Sequence, residues 1–388
     1  MTQRLAKILR ALSAEPRGDH LVLSVYLDWS VDQNGKRQAL MVLEQELDRF
    51  EAELEARGPR RDSFMADRQR ITNYLSDEAP LEAKGLVIFA CNARQIWETI
   101  PLVVPVATSI AADDYPHLYQ FARLLDDYNT FAVVAAEGQQ AQIYVLSLEA
   151  MEQVEQTEAR ERVNRVEVGG WSQRRYERHT AFTIQLHANE IAAALQQVVE
   201  EHDARHIVIL TNDSVKGQIR QGLPPQLHER VVDISAYQRV DEPTQLFASL
   251  EPLMQEAERR LETRVIGRLE EQLATKGGLA LAGETKVAQA LLKGQVDTLI
   301  LDASYAGGQG GECPTCGLLR AGRRQSCPYD GSELLPVDLR EGLVRQTLRQ
   351  GGQVEIVSDG AALQRHGGIG ALLRFRDDLQ QEVGDTIA

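Results

Sequence analysis

The sequence predicts a mixed α/β (α+β) protein built from three domains. Three observations lead there. The chain has 388 residues, short β-branched runs alternate with Ala-, Leu-, Glu- and Arg-rich stretches, and a tight cysteine cluster sits in the last third. At about 100–200 residues per domain, this length makes two to three domains. Hydrophobic residues at 43% and charged residues at 26% belong to a folded globular chain, so wholesale disorder is excluded.

Composition narrows the function class. The longest apolar stretch, near residues 100–110, is broken by Pro101 and Pro105 and falls short of the ~20 residues that a membrane helix needs. The N-terminus lacks the apolar core and cleavage site of a signal peptide, so a cytoplasmic location without a membrane partner is expected. A net charge of -15 argues against a general nucleic-acid coat protein, which needs excess Lys and Arg. It leaves room for one local basic loop.

The elements follow in order. Residues 21–28 read as a buried strand. After a turn at 32–35, Leu40, Leu43, Leu47, Phe50 and Leu54 recur at helical spacing until Gly58-Pro59. A second helix covers about 65–75, a strand 84–90, and one or two further strands 96–106. Residues 131–136 and 140–146 form a hairpin. A long helix runs from 173 to about 202, then strands at 206–210 and 231–234. Residues 242–276 form a long acidic helix. Beyond it come helices at 285–293, 338–349 and 361–366, and strands at 296–302, 353–357 and 372–376. This alternation gives domains at 1–128, 129–238 and 239–388.

The third domain carries a knuckle at 307–336. The chain has four cysteines, and three of them lie between positions 313 and 327. A secreted disulfide framework would use more cysteines and spread them. Each half of the cluster reads Cys-Pro-x-x-Gly. Zinc takes four N, S or O ligands in a tetrahedron. Cys313, Cys316 and Cys327 supply three, and Asp330 stands where a fourth cysteine would be. Structural Zn2+ is the expected cofactor, with His366 as a remote substitute ligand. A metal-free knuckle and a catalytic metal are the other readings. Cys91, after a strand, reads as a core residue.

The middle domain carries the local basic segment. Gly169 and Gly170 are followed by Trp171, Ser172, Gln173, Arg174, Arg175 and Arg178, with Arg160, Arg162 and Arg165 before them. Paired glycines let a backbone lie close against a partner. Trp171 can stack on a base, and the arginines can pair with phosphates. The plainer reading is a strand-to-helix loop with Ser172 as the helix cap and Trp171 as a staple.

Taken together, these residues resemble the archaeal and eukaryotic class I peptide-chain release factor superfamily, which includes Pelota. The likeness lies in domain order over most of the chain, with a zinc mini-domain inserted in the third domain. The resemblance implies a three-domain release-factor-like architecture with a zinc-ribbon insertion. It also implies a loop that enters the ribosomal peptidyl-transferase centre and places water on the peptidyl-tRNA ester. Family members carry Gly-Gly-Gln there. Here Gly169 and Gly170 match, and Gln173 is displaced by two positions. Trp171, Arg174, Arg175 and Arg178 are then the RNA-binding residues, and the ribosome, through rRNA and peptidyl-tRNA, is the partner, with a translational GTPase beside it.

Two literal Gly-Gly-Gln strings, at 307–309 and 351–353, lie in the third domain away from any arginine-rich loop, and we set them aside. Stop-codon readers of the family bear Asn-Ile-Lys-Ser at the tip of a helical hairpin in the first domain. Here the chain passes from the first strand through 32–37 into one helix, so the hairpin's first helix is expected to be missing. Codon-independent peptide release on stalled or split ribosomes is therefore the expectation. The alternatives are a non-catalytic ribosome- or RNA-binding adaptor, and a protein-interaction module built on the acidic helix at 242–276.

Overall fold

A computed structural model describes residues 2–137, 140–149, 151–158, 171–211, 213–235, 243–322, 326–358 and 360–376. The first segment opens with α1 (Thr2–Ala14) and β1 (Val22–Asp28). β1 is apolar and buried up to its last residue. Next come α2 (Gln38–Glu53), α3 (Pro59–Asp77), β2 (Gly85–Cys91), β3 (Ile96–Leu102), β4 (Ser109–Asp113) and α4 (Tyr119–Asp127). The strands form an antiparallel sheet in the order β3-β2-β1-β4.

Leu43, Leu47 and Phe50 fall on one face of α2 and pack with Phe64 and Ile71 of α3 against Leu23, Val25, Leu86 and Ile88. Full burial of each such side chain stabilises the fold by about 1.5–3 kcal/mol. Leu40 belongs to the same sequence pattern but stays exposed.

Pro59 occupies the first turn of α3, where its missing N–H costs no hydrogen bond. α2 stops earlier than the sequence pattern predicted, at Glu53 with Leu54 as its C-cap, and Gly58-Pro59 only starts the next helix. Arg61 pairs with Glu51, while Arg68, further along, reaches back to Glu51, Asp48 and Glu44 at 2.7–2.9 Å. The reversed order of partners makes α2 and α3 an antiparallel hairpin. The expectation that this hairpin lacks a helix is therefore overturned. Its tip reads Leu54-Glu55-Ala56-Arg57-Gly58, with no Asn-Ile-Lys-Ser.

The middle segment contains β5 (Phe131–Glu137), β6 (Gln140–Leu146), β7 (Met151–Glu158), α5 (Trp171–His202), β8 (His206–Thr211), α6 (Asp213–Gly222), α7 (Pro225–His228) and β9 (Val231–Ser235). Its sheet runs β7-β6-β5-β8-β9, with β5, β8 and β9 parallel. Ile191, Leu195 and Val199 of α5 cover one face. Leu250, Met254 and Ala257 of α8 (Pro243–Ala274) cover the other. β7 is a polar strand that the apolar pattern did not reveal.

The third segment adds β10 (Ala280–Ala282), α9 (Glu284–Leu292), β11 (Val296–Asp302), β12 (Gln309–Glu312), β13 (Leu319–Ala321), β14 (Leu335–Asp338), α10 (Leu339–Arg349), β15 (Gln353–Val357), α11 (Ala361–Gln364) and β16 (Ile369–Leu373). A mixed sheet runs β10-β16-β11-β15, and a small one runs β13-β12-β14. Asp338 caps α10 by accepting from the Glu341 amide at 3.1 Å.

The chain divides into two compact units. One is Met1–Leu5 with Tyr128–Ala257, and the other is Ala6–Asp127 with Glu258–Ala388. The first and third segments therefore share a unit. Within it α4 lies along the edge strand β15, and Asp126 Oδ2 accepts from the Ile356 amide at 2.6 Å. Among the described residues, no helix is long and apolar enough to cross a membrane.

Candidate functional site

The knuckle is two copies of one turn. The Cys313 amide donates to Leu318 O at 2.9 Å, and the Gly317 amide returns to Cys313 O at 2.9 Å. The Cys327 amide donates to Ser332 O at 2.8 Å, and the Gly331 amide returns to Cys327 O at 2.9 Å. Gly317 and Gly331 both have left-handed φ, +77° and +75°, which glycine adopts at least cost. This superposable pattern puts Asp330 where Cys316 stands in the first turn.

One ligand atom from each of Cys313, Cys316, Cys327 and Asp330 lies within 4.8 Å of all the others. The Cys316 and Cys327 sulfurs are 3.6 Å apart, and Cys313 Sγ lies 3.4 Å from Asp330 Oδ2. Zn–S bonds of ~2.3 Å and Zn–O bonds of ~2.0–2.2 Å at tetrahedral angles give edges of about 3.8 Å and 3.5 Å. The Cys316–Cys327 and Cys313–Asp330 separations are close to those edges. His366 sits in the turn after α11 and is outside the group.

The local field suits a cation. Burial raises the Cys313 thiol, but the amides of Cys316 and Thr315 outweigh it and the net shift is downward. Burial pushes the Cys316 thiol up to about 12, and Cys313 and Cys327 add to the rise. The Ser332 amide, donating at 2.9 Å, holds the Asp330 carboxyl down at about 2. Cys313 and Asp330 are thus shifted toward their anionic forms, while Cys316 would give up its proton on binding a metal. The knuckle's own core is small: Cys313, Leu318, Cys327 and Leu334.

In the middle unit, Gly169 and Gly170 lie outside the described residues. Trp171, Gln173, Arg174, Arg175 and Arg178 all fall in the first turns of α5. The helix begins at Trp171, one residue before the expected Ser172 cap. Gln173 is thus a helical position. His187, further along α5, is 4% exposed, and burial lowers its pKa. Cys91 is fully buried at the end of β2, as its sequence context suggested.

The Gly-Gly-Gln strings in the third segment play backbone roles. Gln309 opens β12. Gly351, at φ +72°, turns the chain from α10 into β15.

Comparison with known families gives two matches. The model of bacterial archaeo-eukaryotic release factor family 10 matches residues 116–272, and that of eRF1 domain 3 matches residues 260–377. Peptide chain release factor subunit 1 of Pyrococcus abyssi is 23% identical over 354 residues, covering 79% of this chain and 83% of its own. The same factor of Thermococcus onnurineus is 24% identical over 347 residues, with the same coverage. Among solved structures, Archaeoglobus fulgidus Pelota matches at TM-score 0.35 and 18% identity, covering 75% of this chain and 79% of that one. At such a score the structural likeness bears no weight beside the family matches.

Over residues 116–377 the chain is release-factor-like.

Proposed function

We propose that this protein is a ribosome-associated translation factor that promotes peptidyl-tRNA ester hydrolysis on stalled or split ribosomes without reading a codon. The match of residues 116–272 to a bacterial release factor family carries this reading, because it spans the Gly169–Gly170 pair, Gln173 and the arginines after it. In this reading the chain has the three-domain release-factor-like architecture. The Gln173 amide positions the attacking water, and backbone amides of the glycine pair stabilise the developing oxyanion. Trp171, Arg174, Arg175 and Arg178 hold the loop on rRNA and peptidyl-tRNA by stacking and phosphate pairing. The absence of Asn-Ile-Lys-Ser from the α2–α3 tip supports codon independence. A translational GTPase is the natural delivery partner in the same scheme.

Structural zinc belongs to this proposal. Cys313, Cys316, Cys327 and Asp330 would hold it, and it would cross-link the two knuckle turns without entering the reaction.

A second reading is a ribosome- or RNA-binding adaptor without hydrolysis. The helical position of Gln173 favours it, since a residue inside α5 is less free to reach an ester than one in a loop.

The test is peptide release from purified ribosome–peptidyl-tRNA complexes, intact and split, with native protein, Gln173→Ala and Gly170→Ala. Release by the native protein on any codon, lost in both variants, supports hydrolysis through this loop. Co-sedimentation with ribosomes without release moves the reading to the adaptor, and a protein that shows neither release nor co-sedimentation overturns the ribosomal assignment altogether.

A further inference from the structure

The first and third segments are joined by a charge cluster seated on the knuckle strands. Arg17, in the link between α1 and β1, makes three connections. Its Nε donates to Asp114 at 3.0 Å, its Nη2 to Pro336 O on β14 at 2.8 Å, and its Nη1 to Glu312 on β12 at 3.4 Å. Glu312 also accepts from Arg345 of α10. Both partners are buried, at 7% and 3% exposure. The Tyr115 ring stands against both guanidinium groups, at 5.0 Å from Arg17 and 4.9 Å from Arg345. Its hydroxyl accepts from the Asp338 amide at the end of β14.

Glu312 immediately precedes the ligand Cys313 in sequence. The two knuckle strands gripped by Arg17 have four residues each, and the one between Cys316 and Cys327 has three. Strands this short, over a core of four side chains, do not hold a register alone. The register is nevertheless tight: a Cβ on Gly311 would lie 2.6 Å from Leu334 Cβ. A slip of β12 would remove the carboxylate from buried Arg345 and from Arg17 together, leaving an uncompensated charge.

From this we infer that metal at the knuckle controls the docking of the first segment on the third: the occupied site fixes β12 and β14, and these strands supply the acceptors that hold Arg17 and the amide donor that holds Tyr115. This rests on the metal reading made above. Loss of metal loosens the clamp selectively. The links away from the knuckle strands, such as Glu341 to the Leu118 and Tyr119 amides, Arg340 over the Tyr119 ring and Asp126 to the Ile356 amide, then carry the contact. The device ties the state of the metal site to the placement of a domain that would face the ribosome.

The experiment is hydrogen exchange by mass spectrometry on the full chain, zinc-loaded and after chelation, with metal content measured in parallel. Exchange at the Leu118, Tyr119 and Ile356 amides should rise by about tenfold or more on chelation, while β11 and the middle-unit strand β8 stay protected. Arg17→Ala and Glu312→Gln, both still zinc-loaded, should reproduce the loosening. A protein that never binds zinc defeats the metal reading and the inference with it. Zinc that binds and leaves without changing exchange at 118 and 119 defeats the inference alone. Loss of β11 protection on chelation also overturns it, because the metal would then hold the whole unit rather than the clamp. So does unchanged exchange in both loaded variants.

Discussion

Glu341 Oε2 accepts a 2.6 Å hydrogen bond from the backbone amide of Leu118, 223 positions earlier in the chain. The same oxygen accepts from the Tyr119 amide at 2.9 Å. A carboxylate in the first turn of α10 therefore caps α4, a helix of another segment. The cap joins two helices that no local signal relates.

Glu341→Ala should orphan both amides. The expected loss is about 1–3 kcal/mol of unfolding free energy, and Glu341→Gln, which keeps an acceptor, should lose less. Urea denaturation of the full chain reads both. A change below about 0.5 kcal/mol for the alanine variant would show that the cap is unimportant.

Asp67 gives a pH prediction. Its side chain is 1% exposed and accepts from the Asn92 amide at 2.9 Å. Burial raises its pKa to about 6, against opposing contributions from Asn92, Arg70 and Ser63. The folded state then keeps a proton that the unfolded chain gives up near pH 4. Stability from this group is full below about pH 4 and is lost as pH rises through 6. Asp67→Asn should be more stable than native by about 1–2 kcal/mol at pH 7, after allowance for screening, and equal to it below pH 4. Denaturation midpoints at several pH values would show this, and a constant difference across them would refute it.

At the knuckle, the equivalence of Asp330 and Cys316 makes a ligand prediction. Asp330→Cys should bind zinc about tenfold more tightly or better, since thiolate is the softer donor, and Asp330→Ala should bind it more weakly. Competition against a chromophoric chelator measures both. Unchanged affinity in the two variants would remove Asp330 from the ligand set.

Gly310 tests the packing beneath that site. A Cβ there would lie 2.6 Å from the Arg320 carbonyl of the neighbouring strand β13 and 3.1 Å from Leu339. Gly310→Ala should destabilise the shared unit by about 1–3 kcal/mol, because backbone rather than a flexible side chain blocks it. Thermal denaturation with zinc present provides the measurement. A melting temperature equal to native would mean that β12 and β13 part without cost.

Much of this was legible in the sequence because it is local. β1, β2, the β5–β6 hairpin and α8 follow from runs such as Val22–Asp28 and from helical spacing. The cysteine knuckle was legible because Cys313, Cys316, Cys327 and Asp330 come from two short turns that repeat one pattern. β7 escaped because its residues, Met151–Glu158, are mostly polar and take strand form by pairing with β6. Both helices of the α2–α3 hairpin were expected, but α3 starts at Pro59 rather than near 65 because proline is at home in a helix's first turn, and their pairing through Arg61, Arg68 and Glu51 was not legible. The Arg17–Glu312 pair could not be found at all: its members are 295 positions apart, and neither belongs to a motif.

The Asp126–Ile356 link has a consequence for the order of synthesis. At about 5–20 residues per second, the first segment emerges some 10–50 seconds before β15 exists to receive it. Until then, α4 and the Asp126 carboxylate lack the strand that they cover in the finished protein. The middle segment is complete earlier and draws its contacts from nearby sequence. The shared unit must therefore close last, and a chain interrupted near residue 350 should be captured by chaperones through its first segment rather than its middle.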